Sequence, residues 1–393
     1  MPDDNSSAVL EPRRILVRGV NWLGDAVMTL PALARLRQRF PDASITLFTS
    51  EKLADLWSAC RSIDGVLTFV PGEGAFPAGR RLRAGSFDTA LVLPNSPRSA
   101  LEVWLAGIGR RIGFARPWRN FFLTDAIRPR PGHLSMHKRS AGEVQRLIRT
   151  GALAGPPARG DLAGTARTHQ LHEYLHLAAV LGADPEPLSP RLELKTADVE
   201  AARTELRERL AGARGEPVAR SATVFLGMSA SAAYGPAKRW PADRFASVAR
   251  EVSRRMKDVA WLGFGDTRDR DACEQIAAQA KARFINLAGT TSLRGLMRFL
   301  AVSKVLLTND SGPMHVAAAL GTPVVALFGS TSPALTGPGL PGDPRHHLLS
   351  SPPPCSPCFR RNCPVDLRCL TGITVERVLN AVLDCFAHTI RDA

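Results

Sequence analysis

Short apolar runs alternate with amphipathic stretches along almost the whole chain, the pattern of strands separated by helices. In the first half, strands are predicted at Arg14–Arg18, Ile45–Phe48, Val66–Val70, Thr89–Leu93 and Arg111–Phe114, with a helix from about Asp25 to Arg39. In the second half they fall at Ala222–Gly227, Asp258–Leu262, Phe284–Leu287, Lys304–Thr308 and Pro323–Phe328. Helical patterns at Phe245–Met256, Asp269–Ala282 and Leu293–Val302 separate the second set. Strict alternation of this kind predicts an α/β chain with parallel sheets, each half forming its own Rossmann-like domain. The turn-rich Gly182–Pro190 places the boundary near residue 190, giving units 1–190 and 191–393, with the C-terminal helix able to pack back on the first. Gly151–Arg167, with Pro156-Pro157, is predicted to be a surface loop.

Chemistry gathers where strands meet helices. Leu306–Thr308 runs into Asn309-Asp310-Ser311-Gly312-Pro313-Met314-His315, and an alanine-rich helix follows at once. Such a junction aims unpaired backbone N–H groups and the positive end of a helix dipole at one spot, which suits a phosphate. Ser311 is placed to act as N-cap and phosphate donor together, and Asp310 to fix the loop or bind sugar hydroxyls. The first strand ends in Arg18-Gly19-Val20-Asn21-Trp22-Leu23-Gly24-Asp25, which is neither the G-x-G-x-x-G dinucleotide pattern nor a Walker loop. At a helix start Asp25 reads either as an N-cap or as a general base; the helix dipole would lower its basicity. Lys238, in Gly235–Pro241, reads either as a solvated loop lysine beside the anchor Trp240 or as a phosphate contact.

Size and charge narrow the partners. At 393 residues, 45% apolar and 22% charged, the chain has ordinary globular composition, without an apolar run long enough to span a bilayer. Met1–Pro12 lacks the basic-then-apolar order of a signal peptide, so a cytoplasmic location is expected. The net charge of +15 is read as arginine on solvated faces, or as affinity for anionic lipid or a phosphorylated substrate; RNA-binding aromatic motifs are lacking, so no nucleic acid is expected.

Three stretches in order carry a resemblance: Gly19–Asp25 followed by Met28–Leu33, then Gly235–Pro241, then Thr308–His315 with its helix. Together they resemble the ADP-heptose:lipopolysaccharide heptosyltransferases of glycosyltransferase family 9. Leu93-Pro94-Asn95-Ser96 and Ser99-Ala100-Leu101 point to the heptosyltransferase II branch, with types I and III and a non-catalytic nucleotide-sugar binder as alternatives. The resemblance implies a GT-B fold of two facing Rossmann-like domains and an inverting transfer of heptose from ADP-heptose to the lipopolysaccharide inner core. It puts the catalytic aspartate on Asp25, the phosphate-contacting lysine on Lys238 and the donor site on Asp310, Ser311, Gly312, Pro313, Met314 and His315. The ribose contact falls on Asp266 or Asp269, after Gly263-Phe264-Gly265. On the acceptor side the candidates are Gly24, Asn95, Ser96, Arg98, Arg116 and Arg119, facing a phosphorylated glycolipid. No cofactor is expected beyond the ADP-heptose donor, and a monomer in peripheral contact with the inner face of the cytoplasmic membrane. Cys355, Cys358, Cys363 and Cys369 have spacing that could frame a structural zinc, with a plain thiol cluster preferred and no catalytic metal.

Overall fold

The computed structural model describes residues 11–151, 167–212, 223–256 and 258–391. The core of the expected Gly151–Arg167 loop and the first residue of the expected Ala222–Gly227 strand lie outside these.

Two six-stranded sheets, entirely parallel, make up the architecture. The first contains β1 (Arg14–Arg18), β2 (Ser44–Ser50), β3 (Gly65–Phe69), β4 (Thr89–Val92), β5 (Arg110–Phe114) and β6 (Asp125–Ile127), in the order β3-β2-β1-β4-β5-β6. The second contains β7 (Val224–Ser229), β8 (Val259–Gly263), β9 (Phe284–Asn286), β10 (Leu306–Asn309), β11 (Val324–Phe328) and β12 (His346–Ser350), in the order β12-β11-β10-β7-β8-β9. These are the same doubly wound order, and each reverses direction beside its own first strand, between β1 and β4 and between β7 and β10. Ligands of such sheets bind beyond the carboxyl ends of the strands at that reversal. The central strands β4, β8 and β11 are buried along their whole length, as sheets covered on both faces require.

The alternation predicts ten of these strands and misses β6 and β12. Both are edge strands, one three residues long and half exposed, the other opening on two histidines, so neither shows a continuous apolar run. The single helix expected over Asp25–Arg39 is two, Leu23–Met28 and Leu30–Arg39. Pro31, in the first turn of the second, cannot continue the first, because it has no N–H and its ring collides with the carbonyl four residues earlier. The C-terminal helix Val375–Arg391 does not return to the first sheet; Val378, Leu379, Val382 and Cys385 bury against the Ala242–Arg255 helix and the β11–β12 side of the second.

A single apolar cluster runs from the first sheet into the second, joining Ile15, Ala26 and Met28 to Met314, Val316 and Leu306. The start of the Leu23–Met28 helix meets the start of the Gly312–Ala319 helix, where a Cβ on Gly312 would lie 3.0 Å from that of Leu23. Among the described residues no helix is long and apolar enough to cross a membrane.

The loop after β1 hangs from a buried ion pair. Arg18, 3% exposed, sets its Nε 2.7 Å from Glu102 Oε2 and donates from Nη1 to the Gly19 carbonyl at 2.5 Å. Its guanidinium also sits 4.4 Å from the centroid of Phe69. Removing one charge of such a pair strands the other. Glu102→Gln is therefore expected to lower unfolding stability by about 3 kcal/mol in chemical denaturation; a loss within experimental error would show that the pair does not hold this loop.

Candidate active site

Asp25 occupies the third residue of the Leu23–Met28 helix, not its N-cap, which is Trp22 without a side-chain cap bond. The N-cap reading of Asp25 therefore fails. Burial pushes its carboxyl up to about 6, the charge of Asp310 adding to the rise and that of Lys238 opposing it. The expected acidifying effect of the helix start is thus overridden by desolvation, and the group is a better base than an exposed aspartate.

Facing it from the second domain, Lys238 Nζ pairs with Asp310 Oδ2 at 2.6 Å, both side chains largely buried. Thr331 Oγ1 donates to the same oxygen at 2.5 Å. Asp310 thereby fixes the ammonium of Lys238. Asn309 ties the lysine's loop to β10, its Oδ1 accepting from the Trp240 amide at 3.0 Å and its Nδ2 donating to the Ala230 carbonyl at 2.7 Å. Trp240 is anchored as expected, its indole N–H donating to the Ile373 carbonyl.

Ser311 sits at the N-cap of the Gly312–Ala319 helix, but its hydroxyl makes no cap bond and lies 3.1 Å from Thr308 Oγ1. Pro313 offers no N–H, and the Met314 amide turns back to the Ser311 carbonyl at 3.2 Å. Of the amides expected to cradle a phosphate, that of Gly312, at the first helical position, has no intrahelical acceptor. His315 is buried and its imidazole is lowered to about 4, chiefly by desolvation, so it is neutral at physiological pH and carries no charge toward an anion. Its ring packs on Gly24, where a Cβ would lie 2.7 Å from His315 Cδ2. Gly24 therefore serves the contact between domains instead of lining the acceptor side.

Two cavities flank this junction. One of 390 Å³ is lined by Ser311, Gly312 and Pro313 together with Gly265, Asp266 and Asp269. Asp269 accepts from the Asp266 amide at 3.0 Å and lies 3.4 Å from Arg239, while Asp266 accepts from the Arg268 amide at 2.8 Å and pairs with the exposed Arg268 guanidinium. The other cavity, of 380 Å³, is lined by Asp25, Asn95 and Arg116, and also by Gln170, Glu173 and Tyr174.

Three acceptor candidates lie elsewhere. Ser96 caps the Pro97–Leu105 helix, accepting from the Ser99 amide at 3.2 Å. Arg98 turns to Glu102, 2.8 Å away and one helical turn on, and to the Glu73 carbonyl. Arg119 is fully buried; it donates to Asn95 Oδ1 at 3.3 Å while its Nε and Nη2 have no hydrogen-bond partner, and desolvation lowers it to about 10. It positions Asn95 from behind.

Sequence reasoning missed Tyr174, whose hydroxyl accepts from Gln170 Nε2 at 3.0 Å and whose pKa is raised by burial and by Asp25. It missed Glu173, which holds Arg130 at 2.8 Å and His133 at 3.1 Å. Both stand on the Leu171–Ala179 helix, away from any strand-to-helix motif, and no spacing marked them. Thr331 was detectable, since it follows β11 at the same sheet end as Asp310.

Residues 161–368 match glycosyltransferase family 9 (heptosyltransferase). Lipopolysaccharide heptosyltransferase 2 of Escherichia coli K12 is 32% identical, across 83% of this chain and 85% of that protein. Lipooligosaccharide heptosyltransferase 2 of Haemophilus ducreyi is 29% identical, across 83% and 86%. Among solved structures, E. coli ADP-heptose LPS heptosyltransferase II superposes with a TM-score of 0.70 at 25% identity, covering 97% of this chain and all of that one. The chain belongs to glycosyltransferase family 9. It is a glycosyl-transferring enzyme with the GT-B arrangement.

In this transferase the cysteine loop has a mechanical place. Cys355, Cys358, Cys363 and Cys369 line one small cavity, and burial raises the thiols of Cys355, Cys358 and Cys369, the last to about 12. Among the described residues no group of three or more His, Cys, Asp or Glu side chains is arranged to hold a metal ion. The loop braces Lys238: the Ala237 amide donates to the Arg361 carbonyl at 2.9 Å and Tyr234 Oη to the Phe359 carbonyl at 2.7 Å. Gly235 is required there, with φ of 154° and a Cβ that would fall 2.7 Å from the Arg361 oxygen.

The raised carboxyl of Asp25 has a stability consequence. Its folded value of about 6 exceeds the ordinary 3.8, so the folded state binds the proton more tightly and loses stability as pH rises between the two. The loss, complete above both, amounts to about 3 kcal/mol. Asp25→Asn is expected to raise the melting temperature at pH 7.5 and leave it nearly unchanged at pH 4; equal effects at both pH values would show that the carboxyl is not held in this way.

Proposed function

We propose that this transferase moves a heptose from ADP-heptose onto the lipopolysaccharide inner core with inversion at the anomeric carbon, as a heptosyltransferase of type II. The two relatives named above carry that type in their names and match most of the chain. The single observation that carries the chemistry is the junction of Asp25, at the wall of the 380 Å³ cavity, with the Lys238–Asp310 pair beside the Gly312 helix start.

The acceptor sugar enters the cavity of Asp25, Asn95 and Arg116, and the nucleotide enters that of Ser311, Gly312 and Asp266. An acceptor hydroxyl attacks the anomeric carbon on the face opposite the diphosphate and gives its proton to Asp25 as the new bond forms. ADP leaves with its charge met by the Lys238 ammonium and the helix start. Inversion follows from base and leaving group lying on opposite sides of the sugar. For the ribose, Asp266 is the better candidate: the two aspartates close a reciprocal capping box at this turn, but the Asp266 carboxylate stands open to solvent while that of Asp269 is largely buried beside Arg239. The reaction takes place at the inner face of the cytoplasmic membrane, where the acceptor is anchored, and the reading contains no metal.

Purified enzyme incubated with ADP-heptose and truncated core acceptors, read by product mass, is expected to add one heptose, and chelator to leave the rate unchanged. Asp25→Asn should reduce turnover at least about a thousandfold with ADP affinity retained, and the acid limb of kcat/KM should fall near pH 6. Substantial turnover by that variant would remove Asp25 as base. Lys238→Ala is expected to lower kcat about a hundredfold or more; donor kinetics like those of the wild type would reduce it to a structural lysine.

A further inference from the structure

We propose that the aromatic and basic face formed by the Pro97–Leu105 helix and the Ala115–Phe122 loop docks on an anionic lipid bilayer, with Trp118 and Phe121 entering the headgroup layer. The proposal rests on the membrane-anchored acceptor of the preceding reading and names the surface that meets the membrane.

Trp118 is 90% exposed and Phe121 80%, the two most exposed large apolar side chains among the described residues. Phe121 belongs to an aromatic group three residues from Trp118 in the same loop. Phe121 lies 5.5 Å from Phe122 and 6.4 Å from Trp104, and Trp104 lies 5.7 Å from Phe122, centroid to centroid. A contiguous exposed aromatic group of this size marks an interaction surface.

The exposure is enforced by the backbone. Arg119 is fully buried and bonded to Asn95, and the Arg116 amide donates to Asn120 Oδ1 at 2.9 Å, so the loop is pinned on both sides of Trp118. Trp118 itself has φ of 63°, the left-handed region that a bulky residue rarely occupies. A pinned turn that holds an indole outward at that conformational cost presents it to something.

Charge identifies the occupant. Between Arg80 and Phe122 the chain carries arginines at 80, 81, 83, 98, 110, 111 and 116 besides the buried Arg119, against only Asp88 and Glu102; Glu102 is buried on Arg18, and Arg81 and Arg110 pair with Glu73 and Asp125 just outside this stretch. Aromatic rings at headgroup depth flanked by arginines are what an anionic leaflet retains. The face also continues into the acceptor cavity. Arg116, two residues from Trp118, lines that cavity, whose wall includes the partly exposed Trp22, Leu134 and Met136. A bilayer against this face would leave a lipid's sugar beside Asp25 while its acyl chains stay in the membrane.

The test uses full-length enzyme and sedimentation with vesicles of phosphatidylglycerol and phosphatidylcholine, or of phosphatidylcholine alone. Wild type is expected to bind the anionic vesicles and to be released by salt. The double variant Trp118→Ser, Phe121→Ser is expected to bind at least about tenfold more weakly. It should keep wild-type turnover on a delipidated core oligosaccharide and lose turnover on acceptor embedded in vesicles. Wild type that stays in the supernatant, or a double variant that binds equally well, overturns the proposal. So does a wild-type dimer that the double variant dissolves, which would make this a self-association face. Failure of wild type to transfer heptose to the delipidated acceptor would instead sink the catalytic reading, leaving the vesicle result to stand alone.

Discussion

The whole site depends on how closely two helix starts approach. Leu23 lies against Gly312 and Gly24 against His315, at separations that leave no room for a Cβ on Gly24 without displacing the imidazole. That contact brings the first residues after β1 to the first residues after β10, and with them Asp25 to Lys238 and Asp310. Each sheet delivers its loop at its own reversal point, and the shared apolar cluster that joins them excludes water from the seam.

Water exclusion explains the electrostatics on both sides. It raises the Asp25 carboxyl, lowers the His315 imidazole, and leaves Lys238 held by Asp310, whose carboxylate also accepts from the Thr331 hydroxyl. A base, a neutral histidine and an oriented cation thus follow from one physical cause acting on three groups of different charge. His315, which the resemblance places in the donor site, packs its ring on Gly24. The cysteine loop extends the same logic outward, since its backbone carbonyls at Phe359 and Arg361 hold the segment that carries Lys238.

Much of the fold was legible because buried parallel strands are written as unbroken apolar runs. Most of the strands show such runs, while β6 and β12, two of the four edge strands, do not. The catalytic and donor candidates were legible because strand-to-helix junctions with glycine have a local signature. The acceptor side was less so. Arginines at 98, 116 and 119 look alike in sequence, yet one pairs with Glu102, one lines the cavity and one is buried behind Asn95. Tyr174 and Glu173 sit mid-chain on a helix whose period reports burial and says nothing of what the helix faces.

The sequence by itself determined the two parallel Rossmann-like halves, the family, the placing of Asp25 and the Asp310–His315 turn at strand ends and of Lys238 in a loop, since these depend on local patterns along the chain. Only the tertiary structure decided which charges are paired, how basic Asp25 is, and that Asp310 restrains Lys238. Those properties depend on distance and burial between residues far apart in the chain, and a carboxylate's basicity is set by the water it loses and the charges that replace it.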